Sequence, residues 1–168
     1  MTLHRRRFLQ SSALALAGAL AAPALAQSPS QSGTEARFAD SPWRRLADAD
    51  WKRRLAPDSY RVLRQDWTEH PFSSPLDHLF RKGVYVCAGC DLPLFRSEWK
   101  YDSGTGWPSF WTVMQQNIAT KADFALVAER TEYHCARCLG HQGHVFNDGP
   151  RPTGLRYCNN GVALRFVG

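Results

Sequence analysis

Two Cys-x-x-Cys pairs, Cys87-Ala88-Gly89-Cys90 and Cys135-Ala136-Arg137-Cys138, constrain this chain more than any other feature. Two residues between cysteines let both sulfurs face one ion from a tight knuckle, and two knuckles complete a tetrahedral zinc site with four thiolates. Between Cys90 and Cys135 lie 44 residues, more than a compact zinc ribbon separates. The ion would therefore join distant hairpins, where loop closure matters most. Disulfides are the competing reading, because the N-terminus points to an oxidising compartment. A thioredoxin-like redox motif would need one pair to open a helix in a βαβ unit, a pattern absent here. Four thiolates leave no open position on zinc, so such a site is structural and any chemistry must lie elsewhere.

Residues 1–26 read as an address. Arg5-Arg6-Arg7-Phe8-Leu9 has the twin-arginine form, an uncharged apolar run follows from Ser11 to Ala22, and Ala24-Leu25-Ala26 is a small-x-small cleavage site. The run is shorter than the roughly 20 apolar residues of a permanent span. The expectation is a twin-arginine signal peptide cleaved near Ala26, a periplasmic protein and no stable membrane anchor. An uncleaved N-terminal anchor is the alternative. Arg5, Arg6 and Arg7 also account for three of the 21 basic residues; without them 18 stand against 15 acidic ones, a net of +3. That balance, with export, argues against a zinc-knuckle module for nucleic acid. A zinc hydrolase or deaminase would need His-Glu-x-x-His, or His-x-Glu near Cys-x-x-Cys, and neither occurs.

Residues 27–45 are expected to form a flexible lead-in, Ser/Gln/Gly-rich at its start. The domain then runs over 46–168. Asp48 or Asp50 is positioned to cap a helix carrying Trp51 and Leu55, and Pro57 opens a second with Tyr60 and Leu63. From about Gly83 the texture changes to short strands broken by turn residues: Val84–Val86, 125–129, Leu155–Tyr157 and Val162–Val167, the last with Val162, Leu164 and Phe166 on one face. Hydrophobic residues make up 43% of the chain, enough for the core of one small antiparallel β domain with two helices packed on it.

Cys158 is the one thiol outside the two pairs. A lone cysteine is ordinarily a small buried hydrophobe. Here it follows Arg156-Tyr157, and His141-Gln142-Gly143-His144 brings two imidazoles together on what reads as a glycine turn. Cationic and imidazole neighbours favour the thiolate, so Cys158 is the candidate nucleophile.

These residues fall in a longer ordered series: Thr68-Glu69 with Pro71-Phe72-Ser73, Gly83-Val84-Tyr85-Val86-Cys87, and Tyr101-Asp102-Ser103-Gly104-Thr105-Gly106-Trp107-Pro108-Ser109-Phe110. It continues through His134-Cys135-Ala136-Arg137-Cys138, Gly143-His144-Val145-Phe146, Asp148-Gly149-Pro150 and Thr153-Gly154-Leu155-Arg156-Tyr157-Cys158. Across residues 50 to 167 the chain resembles the methionine-R-sulfoxide reductases of the B class. The resemblance implies a mainly β fold, a β-tent of two antiparallel sheets with short N-terminal helices and one structural zinc ion held by Cys87, Cys90, Cys135 and Cys138. It implies reduction of the R epimer of methionine sulfoxide in oxidised proteins and peptides, which restores a flexible apolar side chain.

Carried over by position, Cys158 attacks the sulfoxide sulfur and ends as a sulfenic acid. His141 and His144 bind and protonate the oxygen, Asn160 orients the site, and Trp107 packs on the substrate methyl group. Two departures stand out. Thr105 occupies the place where many family members carry a resolving cysteine, so an external thiol, from a thioredoxin-like periplasmic domain or a small molecule, is expected to regenerate Cys158. Gly161 stands where Ser is usual and is expected to loosen the strand around Cys158. The chain is expected to act as a monomer. A fold-bearing but inactive oxidation sensor is the remaining alternative.

Overall fold

The computed structural model describes residues 31–124 and 130–168. The expected signal peptide, its cleavage site, residues 27–30 of the lead-in and the expected strand at 125–129 lie outside them.

The lead-in is structured where it is described. Gln31–Ala36 forms a helix, α1, and Pro42–Arg45 a 3-10 turn. Long-range polar bonds fix both: Arg44 donates to the carbonyls of Glu35 and Ala136, and the Glu35 carboxylate meets His134 Nε2 at 2.9 Å. Charge pairs at a distance in sequence do this, and local composition does not reveal them.

Helix α2 spans Asp48–Arg54 and α3 spans Pro57–Gln65. Ala47, rather than either aspartate, takes the N-cap position of α2. Asp50 works from the third helical position, its carboxylate accepting the Ala47 N–H at 3.1 Å. Pro57 opens α3 with its φ already suited to a helix. The helix ends where Asp66 turns left-handed (φ 55°) and Trp67 N–H bonds back to the Arg61 carbonyl. Trp51 and Leu63 are buried against the sheets.

Among the described residues nine strands follow, paired antiparallel in two sheets. β1 (Val84–Cys87), β2 (Pro93–Arg96) and β9 (Leu164–Val167) form the small sheet in the order β2-β1-β9. β3 (Lys100–Tyr101), β4 (Ser109–Phe110), β5 (Ile118–Asp123), β6 (Arg130–Cys135), β7 (His141–Phe146) and β8 (Arg156–Asn159) form the large one, ordered β3-β4-β8-β7-β6-β5. The expected architecture of two antiparallel sheets with short helices is the one observed. An aromatic core joins the sheets: Phe95 of the small sheet stacks on Phe110 of the large one at 4.0 Å between ring centres, with Tyr85, Tyr133 and Tyr157 edge-on around them. Burying a ring as completely as Phe95 is buried stabilises by about 2–3 kcal/mol.

Two strands begin later than the alternation predicts. β8 starts at Arg156, so Leu155 lies outside it. Residues Gly161–Ala163 form a 3-10 turn, and β9 starts only at Leu164. For β9 the cause is Glu69: its carboxylate takes the N–H groups of Gly161 and Val162, which a strand would have turned toward a neighbour.

Segment 141–144 is a strand, not a turn. Opposite it, Tyr133 pairs with Gly143 while His134 pairs with His141, leaving Gln142 as the extra residue of a β-bulge. In a regular strand, residues three apart point to opposite faces. The bulge cancels that inversion. His144 faces Glu132 and His141 faces His134, and residues 132 and 134 share a face, so both histidines do too.

Candidate functional site

Register then assembles the site. One row of facing residues crosses the large sheet: Lys121, Glu132, His144, Cys158, Ser109 and Tyr101, from β5, β6, β7, β8, β4 and β3 in turn. Cys158 and His144 are thus direct cross-strand neighbours, and His141 joins them with 5.5 Å between the two imidazole centres. Gly143 permits this closeness, because a Cβ there would lie 1.9 Å from the Cys158 carbonyl oxygen.

A cavity of about 110 Å³ opens over Cys158, lined by Trp107, Thr68, Arg130, His144, Phe146 and Asn160 among others. Four of the sequence-identified residues (Cys158, His144, Asn160 and Trp107) border it. His141 lies behind His144, in an adjoining cavity with Asp66, Lys121, Asp123 and Glu132. A larger cavity of about 230 Å³, on the opposite face between α1 and the sheet, is lined by residues such as Thr34, Ile118 and Tyr157, with no histidine, cysteine or carboxylate among the described residues that line it.

Hydrogen bonds hold these side chains in place. Trp107 donates its indole N–H to the Glu69 carbonyl at 3.1 Å. Asn160 accepts the Glu69 N–H and donates to the Gln142 carbonyl, each at 3.0 Å, tying the segment after β8 to the bulge. Glu69 is the anchor of this network. Burial pushes its carboxyl up against the opposing pull of the Gly161 and Val162 amides. Gly161, expected to loosen the strand, does the reverse: it is buried, and a Cβ there would lie 1.9 Å from Ser74 Oγ. The small residue is the complement of Ser74, and the chain is tight at this point.

The histidines are backed by carboxylates that the sequence pattern did not single out. His144 Nε2 lies 2.7 Å from Asp123, which also pairs with Arg130. Burial holds the His144 imidazole below its ordinary value despite Asp123, which favours the neutral ring at pH 7. His141 Nδ1 sits 3.0 Å from Glu132, at ion-pair distance but without the alignment of a hydrogen bond, and its Nε2 has no hydrogen-bond partner among the described residues. Burial would raise Glu132, but His141 and Lys121, the latter at 2.9 Å, outweigh it and keep the carboxyl below its ordinary range. Parity was the signal available for these residues: Lys121, Glu132 and Asp123 fall on the Cys158 face once β5 and β6 are in register.

Cys158 itself corrects an expectation. Burial pushes its thiol above the ordinary value, against the favourable influence of Arg156 and a hydrogen bond with Thr105, so the thiol rather than the thiolate rests at neutral pH. Arg156 also forms a bidentate pair with Asp148, at 2.8 Å for each bond. Thr105 belongs to a small hydroxyl chain, Thr105–Ser103–Ser109, linked by 2.8 Å contacts beside Cys158.

The four paired cysteines cluster at the end of the molecule where the sheets meet. Their sulfurs all lie within 4.8 Å of one another, and the nearest approaches, Cys87 to Cys138 at 3.6 Å and Cys90 to Cys135 at 3.5 Å, are too long for disulfides. They are close to the roughly 3.8 Å edge of a tetrahedron with 2.3 Å metal–sulfur bonds. Sharing protons with its neighbours pushes Cys87 well up, and burial does so for Cys135; a divalent cation would replace those protons. The donor set and its spacing fit a metal. Gln142, fully buried, donates its amide N–H to Cys87 Sγ at 3.4 Å and so links this cluster to the bulge between the histidines.

The SelR domain model matches residues 55–168. The peptide methionine sulfoxide reductase MsrB of Leptospira interrogans is 52% identical over 113 residues, covering 67% of this chain and 86% of that protein. The proteins of the same name from Methanosarcina barkeri (51% over 113 residues, 67% of this chain and 80% of the relative) and Bradyrhizobium diazoefficiens (52% over 112 residues, 66% and 81%) are similarly close.

Proposed function

The chain belongs to the peptide methionine sulfoxide reductase B family, oxidoreductases acting on sulfur, and from that premise we propose that it reduces the R epimer of methionine sulfoxide in peptides and proteins through a Cys158 sulfenic acid. The observation that carries this reading is the register of β7 on β8. It sets an imidazole, His144, directly opposite a half-buried thiol, Cys158, at the floor of a cavity walled by Trp107.

Trp107 receives the substrate methyl group on its indole face, which leaves the sulfoxide sulfur over Cys158 and its oxygen toward the histidines. Cys158 Sγ attacks that sulfur, the S–O bond breaks, and the oxygen is left on Cys158 as S–OH while methionine departs as the thioether. The substrate sulfur gains two electrons and the cysteine sulfur loses two. The proton that Cys158 holds at rest is the one the oxygen needs, so the step requires no net proton from solvent. His144 and His141 move it, since sulfoxide oxygen leaves poorly unprotonated. Asn160 keeps the β8 end fixed to the bulge during this exchange.

Thr105 contributes a hydroxyl where a second thiol would be needed, and the four other cysteines are gathered in the metal cluster. Regeneration therefore takes two external thiols or one dithiol. The first forms a mixed disulfide with Cys158 and releases water, and the second releases Cys158 as thiol. The reductant is a thioredoxin-like domain of the periplasm or a small thiol, and the catalyst is a monomer. Zinc, held by Cys87, Cys90, Cys135 and Cys138, would supply a structural clamp with no open position for substrate.

The N-terminal residues motivate a periplasmic location. Twin-arginine export of a folded chain would let zinc load in the reducing cytoplasm before the thiols meet an oxidant. Exchanging residues 1–26 for an ordinary secretory signal is expected to give zinc-poor, disulfide-linked protein. Fully metallated product from that exchange would overturn the explanation. For the reaction itself, epimer-resolved consumption of a methionine sulfoxide peptide with dithiothreitol should show loss of the R epimer alone, abolished in Cys158→Ser. Turnover of the S epimer, or turnover surviving the substitution, would overturn it.

A further inference from the structure

Phe72 occupies a position built for glycine. Residues His70–Ser73 form a tight turn closed by the Ser73 N–H to the His70 carbonyl, with Pro71 at the second position and Phe72 at the third. Phe72 has φ +61°, the left-handed conformation that this turn requires there and that glycine adopts most readily. A bulky residue is disfavoured at such a place, and its ring gains little from the fold in return, being 66% exposed. Strain without burial directs attention to what the ring faces.

The turn is strapped to the wall of the reaction cavity. Glu69 accepts the Trp107 indole N–H, and Phe72 N–H donates to the Gly106 carbonyl at 2.7 Å. The Phe72 ring lies against Gly106, where a Cβ would come within 2.8 Å of it. Phe72 is thus an apolar surface held against Gly106, one residue from Trp107, which walls the cavity over Cys158.

We propose that Phe72 is a docking platform for the residue beside the oxidised methionine, and that the preferred substrate is an extended polypeptide with an apolar side chain at that neighbouring place. This rests on the reductase reading and extends it from the oxidised side chain to its surroundings. Covering an exposed aromatic face with an aliphatic side chain removes apolar surface from water, and such a contact is worth about tenfold in kcat/KM. A free amino acid or a polar-flanked site gains nothing from it. Oxidised methionines that come from an opened hydrophobic core have such neighbours.

Three probes test it, with dithiothreitol as reductant: acetyl-Leu-methionine (R)-sulfoxide-Leu-amide, the same peptide with Ser in both Leu places, and N-acetyl-methionine (R)-sulfoxide amide. The wild-type protein should favour the Leu peptide over the Ser peptide by about tenfold in kcat/KM. In Phe72→Gly that ratio should fall to about one, with the acetyl amide turned over as before and Tm at or above the wild type, since glycine suits the turn. Phe72→Leu should keep most of the preference. No preference in the wild type, or a preference that survives Phe72→Gly, overturns the proposal. Failure of the wild type to consume the acetyl amide and both peptides would instead overturn the reductase reading beneath it.

Discussion

At Cys158 burial and charge pull against each other, and burial prevails. Alkylation of the free protein by iodoacetamide should therefore be slow at pH 7 and still climbing above pH 9, the ordinary value of the group. Arg156→Met removes the opposing cation, so its alkylation curve should move to still higher pH. A curve that levels off near pH 7 would show a thiolate at rest and overturn the assignment. Thr105 touches the same sulfur, so Thr105→Cys should let the introduced thiol form a disulfide with Cys158 after one turnover with methionine sulfoxide, detected as the loss of two titratable thiols. Gly161 and Ser74 form a size-matched pair. Gly161→Ser alone should destabilise by about 2 kcal/mol through overpacking, and Ser74→Gly in the same chain should restore most of it, as a double-mutant cycle of thermal melts would record.

Among the elements, α3 and β1 are legible because each carries a plain local signal: Pro57 marks the start of one, and Val84-Tyr85-Val86 is a short β-branched and aromatic run that is nearly continuously buried. β7 was not legible, because its bulge at Gln142 and its glycine at 143 break the period of two that identifies a strand, so His141–His144 reads as a turn. Glu132 was invisible for a related reason. Its role depends on facing His144 across the β6–β7 pair, and its place in the row with Cys158 follows only once β6, β7 and β8 are in register. Parity also explains why Cys158, His144 and Asn160 could be identified one by one without their mutual arrangement. The carboxyl of Glu132 is held low by His141 and Lys121, so its ionised form stabilises the fold above the ordinary carboxylate value of 4.5 and that contribution disappears as pH falls below it. The stability difference between wild type and Glu132→Gln should accordingly shrink between pH 5 and pH 3, about the range of carboxylate titration, when followed by urea denaturation. A difference that grows toward acid would contradict the sign. For the bulge, Gln142→Met keeps the side-chain bulk while removing the N–H donated to Cys87, and metal transfer to a chromogenic chelator should be faster from this variant.

For the whole molecule, the cysteine cluster draws two members from the end of β1 and the knuckle beyond it and two from the end of β6 and the turn beyond it, and so spans both sheets. Stripping a metal bound there should lower Tm by more than about 10 °C, because the ion would close a long loop and replace protons on buried thiols such as Cys87 and Cys135. It should also expose the aromatic core to quenchers of tryptophan and tyrosine fluorescence. An unchanged melt would show that the core alone holds the sheets together. The crosswise row from Lys121 to Tyr101 bears on how such a protein can change over generations. Six strands each contribute one residue to that row, and their order in space differs from their order in the chain. A one-residue insertion or deletion inside any strand would invert every side chain beyond it, hiding a catalytic group in the core and exposing an aromatic to water. Point substitutions can be sampled singly, but changes of length can accumulate only in the connections between strands, or be admitted as a bulge that restores the phase. The extra residue at Gln142 has the form of such a settled insertion, and without it the two imidazoles would stand on opposite sides of the sheet.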